Sequence, residues 1–140
     1  MQGRLADKVV VIVGGTSGLG LSASRACVRE GARVVAVGRD PGKAAALRKE
    51  LGDGVRTLAA DATDPGTAEQ AVDLARTELG GFDALYHVAG GSGRRHGDGP
   101  LHEITDEGWA FTLDLNLTSL FHSNRAAVRH FLALGVGGSI

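Results

Sequence analysis

A chain of 140 residues and 14.4 kDa fits one domain and is long enough to bury a core. Its 43% apolar and 22% charged residues exclude a disordered chain, and its balance of 15 Lys and Arg against 16 Asp and Glu excludes a general electrostatic footprint for nucleic acid. No apolar run approaches the roughly eighteen residues of a membrane-spanning helix, the opening MQGRLADK lacks a secretory apolar region, and the single Cys27 excludes an internal disulfide. A protein of the reducing cytoplasm is therefore expected, with Cys27 on the core side of a helix rather than acting as a reactive thiol.

Taken in chain order, Val9 to Val13 is a continuous β-branched run, the pattern of a strand covered on both faces. Leu19 to Glu30 follows as a helix on the recurrence of Leu19, Ala23, Ala26 and Cys27, stopped by Gly31. Arg33 to Val37 is a second strand. Asp40 caps a helix whose first turn takes Pro41 and which runs to Gly52. Val55 to Ala60 is a third strand, followed by a helix from beyond Pro65 to Leu79. Asp83 to Val88 is a fourth strand, and the aperiodic loop AGGSGRRHGDGP leads into one long helix from Asp106 to Leu134. Along that helix Trp109, Leu113, Leu117, Leu120, Val128 and Phe131 mark an apolar stripe, suited either to core or to a contact between copies. Four uniformly apolar strands alternating with four helices predict a single α/β domain: a Rossmann-type doubly wound parallel sheet with helices on both faces.

The segment VGGTSGLG, between the first strand and first helix, has the chemistry of a phosphate site. Glycine lets a ligand approach the backbone, and the orphan amides of the first helical turn point at an anion. Gly14, Gly18 and Gly20 are spaced G-x3-G-x-G, and Gly18, Gly20 and Ala23 also match the dinucleotide fingerprint G-x-G-x-x-A. A P-loop would require Gly-Lys followed by Ser or Thr; Leu19, Gly20 and Leu21 exclude it. The second strand ends at Gly38 and Arg39, where a dinucleotide site reads the adenosine ribose, and an arginine there favours a 2′-phosphate. This points to NADP, with NAD possible. A solvated loop arginine is the competing reading of Arg39, and Asp40 either offsets its charge or is committed to capping.

Four segments in order extend this pattern. VGGTSGLG resembles the cofactor motif of the classical short-chain dehydrogenases/reductases, T-G-x3-G-x-G; DAT at Asp61 to Thr63 resembles the family's adenine-side segment; HVAG at His87 to Gly90 is similar to its N-N-A-G motif; and LDLNLTSLF at Leu113 to Phe121 resembles its active-site helix. The resemblance implies that Gly14, Gly18 and Gly20 line the pyrophosphate and adjoining ribose, with Ser17 and Leu19 supplying backbone contacts. It implies that Asp61 and Ala62 meet the adenine, that Ala89 and Gly90 pack against the central ribose region, and that Asn116 interrupts a helical ladder to support a proton relay. A plain polar residue on a helix face is the competing reading of Asn116. Val13, His87 and Val88 depart from the family pattern, so hydrogen bonds that hold its central sheet are expected to be missing or remade, with His87 structural. Arg94, Arg95 and His96 are expected in a solvated loop above the cleft.

The family's catalytic serine lies on a fifth strand, and its Tyr-x3-Lys motif follows on a helix. In this sequence Ser139 precedes the serine position, and the one tyrosine, Tyr86, is followed four residues on by Gly90. The expectation is an NAD(P)-dependent oxidoreductase acting on a carbonyl or alcohol, with the domain incomplete before or within its fifth strand. These 140 residues alone are expected to be inactive, and the full-length protein to form a homotetramer or homodimer without nucleic acid, membrane or metal. A noncatalytic nucleotide-binding or regulatory protein is the alternative.

Overall fold

Five consecutive β-branched residues cannot sit on a solvated surface, and Val9–Val13 forms the central strand β1 with every residue at most 6% exposed. The computed structural model describes residues 3–140. β1 is followed by α1 (Gly18–Arg29), β2 (Arg33–Gly38), α2 (Pro41–Leu51), β3 (Val55–Ala59), α3 (Thr67–Leu79) and β4 (Ala84–His87). The chain then enters α4 (Asp106–Leu113), a π-helical turn (Asp114–Thr118) and α5 (Ser119–Leu134). The sheet is parallel throughout in the order β3-β2-β1-β4, with Val11 opposite both Val35 and Leu85.

Alternation along β1 sorts its side chains between two layers. Val9, Val11 and Val13 join Val35 and Val37 beneath α3 and α5, against Ala71, Val72, Ala75, Ala126 and Ala127. Val10 and Ile12 join Val34, Ala36 and Leu47 on the opposite face, where α1 and α2 pack. The doubly wound parallel sheet with helices on both faces is therefore the observed architecture. Cys27 packs half-buried against this second layer, and its burial pushes the thiol pKa up, away from reactivity.

Asp40 caps α2 as its position predicts: Gly42 and Lys43 amides donate to its Oδ1 at 2.8 and 3.2 Å. Ser139 lies beside β4 as a single parallel rung opposite Ala84; Leu85 N–H donates to its carbonyl at 2.9 Å.

One expectation needs correction. The long fourth helix is interrupted, because Asp114–Thr118 winds as a π-helical turn between α4 and α5. The apolar stripe divides: Trp109, Leu117 and Val128 are exposed, whereas Phe131 packs on the core and stacks on Phe82, and Ser119, Ser123, Ala126 and Ala127 form the buried face of α5. Small side chains let the helix approach the sheet and α3 closely, so its inner face carries little of the hydrophobic signal.

Candidate functional site

β1 leads to β2 on one side, whereas its other neighbour, β4, is reached only after α3 crosses the sheet. The turns leaving β1 and β4 therefore diverge, and a crevice opens beyond the carboxyl ends of these strands, where open α/β sheets bind ligands. Gly14 and Gly15 N–H both donate to Val37 O at 2.9 Å, while Val88 and Ala89 N–H donate to Val13 O at 2.8 and 2.9 Å. These bonds pin both turns to the sheet.

Gly14 takes φ +89°, and a β-carbon there would lie 2.7 Å from Ala89 N, so the two turns touch only because glycine stands at this point. Gly20 packs directly on the Gly14 carbonyl, leaving no room for a side chain. Ser24, fully buried on α1, donates to Gly15 O at 2.9 Å and ties the helix to the turn. Thr16 is buried against Gly38. A hydroxyl on α1 thus secures the turn although Val13 carries none. No side chain caps α1: Ser17 is extended at the N-cap without a side-chain bond to the first turn. The first-turn amides are left available to an anion, and the helix dipole favours one.

The resulting cleft has a volume of about 670 Å³, within the range of ligand pockets. Gly14, Ser17, Gly18 and Leu19 form its floor, Arg39, Asp61 and Ala62 one end, and Ala89 and Gly90 the opposite wall. Gly20 stands behind the floor. Asn116 lies behind the wall: its Oδ1 accepts from Gly91 N at 2.9 Å, and its Nδ2 donates to Gly91 O at 2.9 Å and Thr112 O at 3.0 Å. Thr112 O is the carbonyl that a regular α-helix would pair with the amide of residue 116.

At the β2 end, Asp40 is committed to the α2 cap, and Arg39 forms no ion pair with a carboxylate among the described residues. Asp61 accepts Thr63 N–H at 2.9 Å and Thr63 O–H at 2.8 Å through Oδ1. The Thr63 amide holds its carboxyl below the usual value, aided by the Thr63 hydroxyl and the field of Arg39. Lys43, Thr16 and Leu115 also line the cleft, and sequence reading missed them. Lys43 is a third-position helix residue, and only the turn of α2 toward the strand end brings it there.

His87 bonds away from the sheet, to α5 and to the loop that follows β4. Its Nδ1 is 2.8 Å from Ser123 Oγ and its Nε2 is 3.0 Å from Ala89 O. Burial pushes its imidazole pKa down, against a smaller upward effect of the Ala89 carbonyl, and so favours the neutral ring. Arg94–His96 form an exposed 3₁₀ turn outside the cleft lining, with His96 stacked on Phe111 at 3.7 Å between centroids.

The short chain dehydrogenase family model matches residues 8–140. A 3-alpha-(or 20-beta)-hydroxysteroid dehydrogenase of Mycobacterium tuberculosis is 38% identical, with all of this chain aligned to 52% of the relative. An A-factor type gamma-butyrolactone 1'-reductase of Streptomyces virginiae is 35% identical over 99% of this chain and 54% of its own. Among solved structures, a short-chain type dehydrogenase/reductase of Mycobacterium ulcerans superposes with a TM-score of 0.85 and 30% identity, covering 96% of this chain and 50% of that one. The chain spans about half the length of the curated relatives it matches. No helix among the described residues is long and apolar enough to cross a membrane. With the glycine turn, the uncapped α1 and the β1–β4 crevice in place, the match over residues 8–140 makes this chain a member of the short-chain dehydrogenase family.

Proposed function

We propose that this chain is the cofactor-binding part of an NAD(P)-dependent oxidoreductase that moves a hydride between a nicotinamide and a carbonyl or alcohol carbon. The observation that carries the reading is the uncapped amino end of α1, opening with Ser17, Gly18 and Leu19 onto a cleft large enough for a dinucleotide. Bound there, the cofactor supplies the redox chemistry, and the protein binds and orients it. Gly14, Gly18 and Gly20 give the pyrophosphate its close approach. Asp61 and Ala62 hold the adenine end, and Ala89 and Gly90 bound the central ribose region. Asn116, with its side chain spanning Gly91 and Thr112, keeps the π-helical turn open beside that wall, where it supports proton transfer.

The relatives' names span a hydroxysteroid, a gamma-butyrolactone and, in Azotobacter vinelandii, an L-rhamnose 1-dehydrogenase (NAD(P)(+)). Only the broad class of carbonyl and alcohol is therefore proposed as substrate. The exposed apolar side of α4 and α5, with Trp109, Leu117, Phe121 and Val128, supports homo-oligomer formation. The Arg125 guanidinium already covers one side of Phe121, 4.6 Å from the ring centroid.

NADP is the proposed cofactor because Arg39 faces the adenosine end of the cleft without an ion-pair partner among the described residues, while Asp40 is occupied in capping. Fluorescence titration should show NADPH binding at least about tenfold more tightly than NADH. Arg39→Ala should weaken NADPH by about tenfold or more while leaving NADH within about twofold. Equal affinities, unchanged by Arg39→Ala, would remove the 2′-phosphate from the account.

A further inference from the structure

His87 occupies the last position of β4, two residues before the wall of the cleft, yet its ring turns inward to α5. Ala89 O can only accept, so the 3.0 Å contact requires the proton on Nε2. In the neutral ring Nδ1 is then an acceptor, and the Ser123 hydroxyl donates to it across 2.8 Å in preference to the more distant Ser119 O at 3.2 Å. Ser119 Oγ stands 3.4 Å from Nε2 and itself donates to Leu115 O at 2.7 Å, inside the π-helical turn. Ser119 and Ser123 are 0% and 2% exposed, so the imidazole sits over two buried hydroxyls, each also within reach of the carbonyl four residues before it. The Ala89–Gly91 segment is thereby held from two sides, by His87 at the Ala89 carbonyl and by Asn116 at Gly91.

We propose that His87 is a positioning residue for the cofactor site: through its Nε2–H bond to Ala89 O, backed by Ser123, it fixes the wall formed by Ala89 and Gly90. This rests on the reading of the cleft as a nicotinamide dinucleotide site. The two ring nitrogens have separable duties. Nδ1 fastens the ring to α5, and Nε2 transmits that fastening to the backbone against which the ligand packs. Asparagine at 87 can reproduce only the nearer Nδ1 contact, whereas glutamine reaches the Nε2 position with an N–H donor.

The test compares NADPH dissociation constants and melting temperatures for the wild type, His87→Ala, His87→Asn and His87→Gln, titrated well below each melting point. Expected is a loss of affinity of about tenfold for His87→Ala and His87→Asn, with His87→Gln within about threefold of wild type. Nitrogen-15 NMR of the wild-type imidazole without cofactor should show the Nε2-protonated neutral tautomer, a result that needs no variant to fold. His87→Asn binding NADPH as tightly as wild type despite a lower melting temperature would make His87 merely structural and overturn the proposal. So would a ring protonated only at Nδ1. A wild-type protein that binds neither NADPH nor NADH would instead overturn the reading of the cleft itself.

Discussion

Gly20→Ala is expected to cost this protein both cofactor and fold. A β-carbon at Gly20 would sit 2.7 Å from the Gly14 carbonyl carbon and closer still to its oxygen, which is backbone and has little freedom to yield. Gly14 is fixed in turn: its amide is bonded to Val37 O, its φ is +89°, and its α-carbon abuts the Ala89 backbone. The strain must move the start of α1 away from the turn, which costs about 1–3 kcal/mol or more in stability. It also displaces the Ser17–Leu19 amides from the proposed pyrophosphate position. A displacement of about 1 Å in such a site costs about a hundredfold. NADPH titration, together with the urea midpoint, reads both losses. Gly81→Ala is the control, since Gly81 has open space around it and no positive φ, and it should leave both quantities near the wild-type values.

The largest effect on stability alone is expected at Ile12. It is 0% exposed at the centre of β1, between Ala36 of β2 and Tyr86 of β4 in register, and packs with Val34, Ala36 and Leu47. Ile12→Ala removes three buried carbons and leaves a cavity in a layer whose strand neighbours are fixed by parallel pairing. A loss of about 2–5 kcal/mol is expected from denaturant unfolding, a large share of the roughly 5–15 kcal/mol that holds a domain together. Leu101→Ala, at a side chain 89% exposed, should change stability by less than about 0.5 kcal/mol. Similar losses at both positions would contradict the two-layer core.

How far the fold was legible depended on what each segment buries. β1 could be read because Val9–Val13 is covered on both faces, which leaves an unbroken apolar run. α2 could be read because Asp40 and Pro41 mark its start chemically, whatever packs against it. The inner face of α5 could not be read from apolar periodicity: Ser119, Ser123, Ala126 and Ala127 allow close helix contact, and Trp109, Leu117 and Val128 of the conspicuous stripe face solvent. The π-helical turn was equally hidden, since one extra residue in a turn leaves almost no trace in a 3.6-residue recurrence. Asn116 was its only mark.

The cleft shows the same division. Gly14, Gly18 and Gly20 are close in sequence and carry their spacing openly, and Arg39 follows a strand end that topology requires. Lys43 and Thr16 join them only through the packing of α2 and the burial of the glycine turn against Gly38. His87 was readable as a departure from a family pattern. Its inward link from Ser123 to Ala89 was not, because the partners lie 36 residues ahead and two residues along the chain.

The proposed occupant of the cleft between the β1 and β4 turns is a nicotinamide dinucleotide with its pyrophosphate on the amino end of α1. A crystal structure of the protein with NADPH tests this most directly. Pyrophosphate oxygens are expected within hydrogen-bonding distance of the Ser17–Leu19 backbone, the 2′-phosphate at Arg39, and the nicotinamide half continuing past Ala89 and Gly90 toward Asn116. NADPH bound elsewhere, or lying in this cleft with its pyrophosphate away from the α1 amides, would contradict this placement.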